Sequence, residues 1–588
     1  MAEKFVNILD APYSRRGSYL AFAGDNYGED VFGKNSLWLA NCRSLGFNMA
    51  DINAKSGFRQ LRLEAVKNGM PLACEIFTTP YEVILKTREG EIRFCIGERS
   101  LVMARGEDGL TLRVNMLPGF LSSGAVDMMD PLHRRLLSFH MSRLLLTPIA
   151  GTMSVTPAAV EIAPDANGTI LLAMEDCLTD PVLRPVEDYP DYETCVASVK
   201  ADFDGFCEKI MPKLPAEYEE ARLQALWQTW NMIVDPDGQS DYVRPMVKMV
   251  HCIFEAAFGW QQPMQAIWLS RDPELSWQVF CSCFDFMDEN GRLYDNVAFR
   301  SIPGGAGLKP PVQGWALLWL MEHGVYDGVP REERRWLLDK MIRWTEYFMK
   351  FRDKDGDGIF EYGSALETGW EDAPQYMKGF PNASPDLNAY LALQMEAIAE
   401  WGAFCGMPEE ERDAWRRRSQ ELIERITASF WDGEKWFSFN AATGERSANL
   451  NIALYTVLVL GKRLPQEIID RSVRTIFSEG GFDTPYGLAS EALSSVFFRG
   501  GFTRGSVITP AQFLMCMAFE ACGYEDLAEK VARNYCRALK EHGFFHIYNA
   551  LSGREDRSLT AFGERGLFWS AWTSSCYFFL ADRYGRDE

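Results

Sequence analysis

The hydrophobic pattern of this chain changes period once, near Asp202, from alternation to a helical repeat of about 3.6 residues. That switch constrains the fold more than any other feature. Upstream, short alternating segments recur: SYLAFAG, SLWLANC, YEVILKT, EIRFCIG, SLVMARG, LTLRVNM and TILLAME, separated by turn residues such as Asp-Ala-Asn-Gly. Regular strands without helical crossovers predict an antiparallel β-sandwich over residues 1–205. One irregular piece, DPLHRRLLSFHMSRLL, reads as a helical insertion, with His133 and His140 in structural roles. Downstream come about twelve apolar-periodic segments: 216–233, 262–270, 273–288, 311–323, 331–352, 385–406, 408–430, 447–460, 465–478, 508–522, 524–541 and 566–584. Several open on proline, in Asp-Pro, Val-Pro and Ser-Pro pairs, where proline suits the first helical turn. Helices paired this way predict an (α/α)6 toroid over residues 206–588, with apolar helices inside and a cleft at one end.

Composition narrows the function classes. The net charge of −22 and pI near 4.9 leave no basic stripe for nucleic acid. No run of about 18 apolar residues is present and the first residues lack a signal-peptide pattern, so a cytoplasmic protein without membrane contact is expected. The 14 cysteines include no CxxC pair, which argues against zinc or redox chemistry. Aromatics make up 13% of the chain, and tryptophans beside polar residues suit stacking on sugar faces as well as a large helical core.

Residues 353–376, DKDGDGIFEYGSALETGWEDAPQY, concentrate seven carboxylates between two helical patterns. A connection this long is usually functional. Asp353, Asp355 and Asp357 invite a calcium-loop reading, but the twelfth position holds Ser364 where that loop wants glutamate. The expectation is an acidic turn with no cofactor; a Ca²⁺ here would be structural.

Six segments in order then resemble one family. They are AFGWQQPMQAIWLSRDPELSWQVFCSCFDFMDENGRLYDNV, LKPPVQGWALLWLMEHG, the 353–376 loop, SPDLNAYLALQMEAIAEWG, the pair FDTPYGLAS and FTRGSVITPAQ, and GFFHIYNALSG. Together, over residues 216–584, they resemble a divergent member of the glycoside hydrolase clan of trehalases and processing α-glucosidases, families 37 and 63. The resemblance implies a sandwich followed by a toroid, and an inverting pair of carboxyl groups working across a glycosidic bond.

Carried over residue by residue, the family's acid falls on Glu371, with Asp372 as the alternative. The family's base position falls on His546, two residues before Tyr548, where the family has glutamate. An imidazole can deprotonate water; Glu564 is the carboxylate that could replace the lost one, with Glu555 and Asp556 behind it. The family's sugar-gripping aspartate is Gln261 here, after Trp260, so its glucose-type pocket is not assumed. Asn296, Gln313, Trp315, Trp370, Arg504 and Tyr548 complete the expected substrate-binding set, with Trp260, Trp315 and Trp370 as stacking candidates. Arg504 either holds a hydroxyl or orients a carboxylate.

The expected function is an inverting, exo-acting hydrolase of a small α-linked saccharide or glycoside. Two other readings remain open: a lyase or epimerase using His546 and Tyr548, and a carbohydrate-binding protein without turnover. The sequence is silent on oligomeric state.

Overall fold

The computed structural model describes residues 4–24, 36–41, 61–116, 122–139, 142–177, 180–238, 240–250, 256–298, 307–447, 449–556 and 569–585. The strands up to Cys177 build two antiparallel sheets. In spatial order the first contains Leu20–Gly24, Leu37–Asn41, Leu61–Lys67, Thr111–Met116, Ala159–Ala163 and Thr152–Val155. The second runs Ser122–Asp127, Arg135–Phe139, Ser142–Ala150, Ile170–Cys177, Leu101–Gly106, Glu91–Glu98, Val83–Lys86 and Glu75–Thr78. Alternation explains the layering. In Leu61–Lys67 the buried residues are Leu61, Leu63, Ala65 and Val66. On the other face Arg62 pairs with Glu64 and Arg113 with Glu161. Phe22 of one sheet meets Phe94 of the other, ring centroids 5.5 Å apart.

Two sequence expectations change here. The 130–145 piece is no helical insertion: its residues enter the paired strands Arg135–Phe139 and Ser142–Ala150, with Arg135 opposite Leu146. A leucine-dense run has no decisive period of its own, so its neighbours in the sheet decide. His133 sits in the preceding turn, exposed and 3.5 Å from Asp127, while His140 lies outside the described residues. Secondly, Tyr192–Ile210 is a helix inside the stretch read as β. Its buried Tyr192, Cys195, Val199, Phe203, Phe206 and Ile210 already carry helical spacing.

Two compact units result: residues 1–209, 226–242 and 248–256 form one, and 210–225, 243–247 and 257–588 the other. With α1 as Tyr192–Ile210 and α2 as Glu219–Met232, the following helices are α3 (Gln261–Trp268), α4 (Pro273–Cys281), α5 (Gln313–Glu322), α6 (Arg331–Phe351), α7 (Pro385–Cys405) and α8 (Glu409–Phe430). Then come α9 (Ile452–Tyr455), which runs into the 3₁₀ segment Thr456–Arg463, α10 (Gln466–Ile476), α11 (Thr509–Ala521), α12 (Glu525–His542) and α13 (Ala571–Tyr584). Helices α3, α7, α11 and α13 are buried almost all round, whereas α6, α8, α10 and α12 keep a charged outer face. Contacts run from α3 to α5, α7, the Thr456–Arg463 segment, α11 and α13, and return to α3. Against these lie α4 on α3, α6 and α8 on α7, and α12 on both α11 and α13.

Caps and buried amides set where the helices begin. Asp272 accepts a hydrogen bond from the Leu275 amide at 3.2 Å, with Pro273 at the first helical position of α4. The buried helices carry glutamines and asparagines that clamp loops. Gln262 binds both backbone groups of Val247, Gln512 both of Leu488, and Asn388 both of Phe360. Each amide satisfies two backbone groups that burial would otherwise strand.

Candidate active site

The loop before α7 divides into two halves. In the front half, Asp353 accepts from the Gly358 amide at 3.2 Å, Asp355 from Asp357 at 3.3 Å, and Asp357 from Ile359 at 2.7 Å. These are acidic side chains folding their own turn. Carboxylate oxygens of Asp353, Asp355 and Glu361 lie within 4.8 Å of one another, the one such acidic group among the described residues. Burial and the two aspartates push Glu361 up to about 7.

The back half carries the chemistry. Gly369 takes φ +71°, and a Cβ there would sit 2.5 Å from the Trp260 ring. Only glycine brings this backbone so close to the indole. Trp370 and Trp260 follow as packed rings: Trp260 lies 6.3 Å from Trp370 and 5.0 Å from Trp572, centroid to centroid. Trp370 is 0% exposed and Trp260 3% exposed, so both stacking candidates lie in the packed cluster behind the loop. Trp315 packs edge-on against Phe513 at 5.6 Å.

Glu371 and Asp372, adjacent in sequence, sit in different surroundings. Asp372 Oδ1 accepts from the Thr503 amide at 3.0 Å and its hydroxyl at 2.5 Å. Its Oδ2 faces Arg499 at 3.5 Å and Arg504 at 3.8 Å, and Arg504 Nε donates to the Asp372 carbonyl at 2.7 Å. Arg504 therefore orients a carboxylate. Glu371 Oε1 accepts from the Lys309 ammonium at 2.7 Å, while Oε2 is buried with no hydrogen-bond partner among the described residues. Lys309 also donates to the Leu366 carbonyl at 2.6 Å and lies 3.6 Å from Asp295 Oδ1. Burial pushes the Asp295 carboxyl up to about 6 against the pull of Lys309. Burial alone would lower the Lys309 ammonium; Glu371 and Asp295 outweigh it and hold the pKa above its ordinary value.

Four expected contacts have other employment or none. Gln313 donates to the Gly259 carbonyl at 3.0 Å and accepts from Trp344 at 3.3 Å, so both ends of its amide are used. The Tyr548 hydroxyl donates to the Gly543 carbonyl. Gln261 is wholly buried at the start of α3, and neither amide atom has a partner among the described residues. Asn296 is buried beside Asp295.

His546 stacks near Phe502 at 6.4 Å and meets Trp572 edge-on at 6.2 Å. Its Nδ1 is shut away from solvent without a partner among the described residues, although part of the ring is not buried. Desolvation pushes the imidazole down to about 4. Glu564 falls within 557–568, outside the described residues. Asp556 accepts from the Gly501 amide at 3.1 Å and the Ser506 hydroxyl at 2.7 Å, and the Glu555 backbone is bridged to Tyr548.

Sequence reasoning passed over Lys309 and Asp295. The residue was in view, since LKPPVQGW sets the lysine directly before two prolines in one of the resembling segments. Glu491 was missed without any such signal. It is wholly buried, accepts from Ser495 at 2.6 Å and Asn451 at 3.0 Å, and is pushed up to about 7 by burial.

Comparison with known proteins gives the context. A mannosylglycerate hydrolase from Rubrobacter radiotolerans is 18% identical over 407 residues, covering 55% of this chain and 91% of that one. The GH63 mannosylglycerate hydrolase of Thermus thermophilus, solved with glucose, is 19% identical, with TM-score 0.48 over 57% of this chain and 94% of the other. The neutral trehalase of Saccharomyces cerevisiae is 13% identical, with TM-score 0.45 over 58% and 74%. The family model for the mannosylglycerate hydrolase MGH1-like glycoside hydrolase domain matches residues 260–570, more than half of the chain, and the protein belongs to that family.

Proposed function

We propose that this glycosidase is an inverting, exo-acting hydrolase of a small α-linked glycoside, with Glu371 as general acid. The observation that carries the reading is the asymmetry of that carboxyl: one oxygen held by Lys309, the other buried without a hydrogen-bond partner among the described residues. Asp372, tied by Thr503 and faced by Arg499 and Arg504, serves to hold the loop. The unpartnered amide of Gln261 suits a sugar hydroxyl pair. Mannosylglycerate, after which the similar hydrolases are named, is the first compound to test. For the base we retain Glu564 ahead of His546.

The ring of contacts through α3, α5, α7, Thr456–Arg463, α11 and α13 supports an (α/α)6 toroid, and the two antiparallel sheets support a sandwich. Of the two groups a lyase or epimerase could use here, His546 and Tyr548, the Tyr548 hydroxyl is committed to a backbone carbonyl. No helix among the described residues is long and apolar enough to cross a membrane. The described cysteines are free thiols, which suits a cytoplasmic location. No cofactor enters the reaction; a Ca²⁺ at Asp353, Asp355 and Glu361 would be structural, so chelation should change the melting temperature and leave kcat alone.

The decisive experiment compares wild type and Glu371→Gln on mannosylglycerate and on aryl α-glycosides. Full activity of the variant on the poorer leaving group removes Glu371 from the acid role.

A further inference from the structure

Lys309 is almost wholly buried, 7% exposed, and its charge is answered by two carboxylates and a carbonyl from two separate segments. Asp295 directly precedes the strand Asn296–Ala298, Leu366 lies in the 3₁₀ turn Ala365–Glu367, and Glu371 follows that turn. Two prolines come immediately after the lysine and fix the backbone leading into α5. An ammonium withdrawn from water this far is costly unless fully paired, and here the pairing makes it a fixed point. A pair that only tied two loops together would engage the glutamate through either oxygen. In this protein Oε1 is taken and Oε2, itself buried, is left without a partner among the described residues.

We propose that Lys309, backed by Asp295, is a positioning residue for Glu371, clamping Oε1 so that Oε2 is the oxygen that exchanges a proton with the leaving group. The proposal rests on Glu371 being the acid. In the step itself the Oε2–H bond breaks as the glycosidic oxygen gains the proton and leaves. The carboxylate that remains is met by an ammonium already in place, which keeps its own protons throughout. Charge developing beside a preorganised cation is stabilised without rearrangement. Among the described residues the ionisable groups that act on Glu371 are Lys309, Asp295 and the buried Tyr376; the neighbouring Asp372 carboxylate is turned to Thr503, Arg499 and Arg504.

The test uses Lys309→Met, Lys309→Arg and Asp295→Asn in the full chain, each crystallised and assayed on mannosylglycerate from acid to alkaline pH. Because Lys309→Met leaves two carboxylates together, the double variant with Asp295→Asn accompanies it. In Lys309→Met the Glu371 carboxyl should leave its position while Trp370 and Asp372 stay. Its kcat should fall about 100-fold with KM little changed, as misplacement of about 1 Å does. Removing the cation should move the alkaline limb of the profile up, and removing the neighbouring negative charge in Asp295→Asn should move it down. Lys309→Arg should recover part of kcat. Finding Glu371 undisplaced in Lys309→Met crystals overturns the clamp. So does a wild-type kcat and pH profile, or a loss that merely follows the melting temperature. Full activity of Glu371→Gln defeats the acid assignment instead, and the crystal comparison still judges the clamp.

Discussion

The two ends of the proposed reaction path are built on opposite principles. Around Glu371, charges are gathered: Asp295, Lys309 and Glu371 lie in one chain of contacts, with Asp372, Arg499 and Arg504 in a second. Around His546 the described neighbours are aromatic: the ring sits by Phe502 and Trp572, and desolvation pushes its pKa down. A carboxyl that changes its proton during turnover benefits from a nearby cation. A neutral imidazole between aromatic rings offers no negative charge to a developing oxocarbenium ion. The acid end can therefore be read from its ion pairs, whereas the base end cannot be read from the position the family motif occupies.

That contrast is most exposed on the acid side. Glu371→Gln should lower kcat on mannosylglycerate about 1,000-fold, within the usual range for a lost general acid. The loss should be much smaller on a dinitrophenyl glycoside, whose leaving group needs no proton. Asp372→Asn retains an acceptor for Thr503 and should cost less than about tenfold, since general acid losses start near 100-fold. Equal losses in the two variants would mean the adjacent carboxylates cannot be told apart by their surroundings.

Next comes the base end. Glu564→Gln should lower kcat about 100-fold or more and His546→Ala less than that, measured under the same conditions. The reverse order would give the imidazole the water-activating role and make the base end a true substitution of histidine for glutamate.

How much of this was legible in the sequence differs between the same regions. The helices were, because proline starts and a 3.6-residue period mark them locally: α6, read as 331–352, spans Arg331–Phe351, and α8, read as 408–430, spans Glu409–Phe430. The Arg135–Phe139 strand was not, because a leucine run has no period to read. Glu371 drew attention as a candidate through its Gly-Trp neighbours. Lys309 did not, because a buried lysine has meaning only through partners 14 residues behind it and 62 ahead, in Asp295 and Glu371. Gln313 and Tyr548 fitted a binding motif, yet their polar atoms are used by Gly259, Trp344 and Gly543. A motif names residue types; it does not say which hydrogen bonds are already made.

The mildest consequence concerns stability. His546 is held near 4 in the folded protein against about 6.5 when unfolded. Between those values the unfolded chain binds a proton that the folded one refuses, so this group's contribution makes stability fall as pH drops from about 6.5 to 4. Asp295, raised to about 6, acts oppositely: the folded state holds its proton there, adding stability as pH falls through that value. The histidine is therefore read by difference, from urea unfolding of wild type and His546→Phe across the same pH range. The variant should gain on wild type by up to about 3 kcal/mol between pH 7 and 4, less whatever the exposed part of the ring recovers from water. Parallel curves would mean the ring is not desolvated. A gap of the opposite sign would show that His546 is protonated beside a carboxylate, and the base end would then be an ion pair like the acid end.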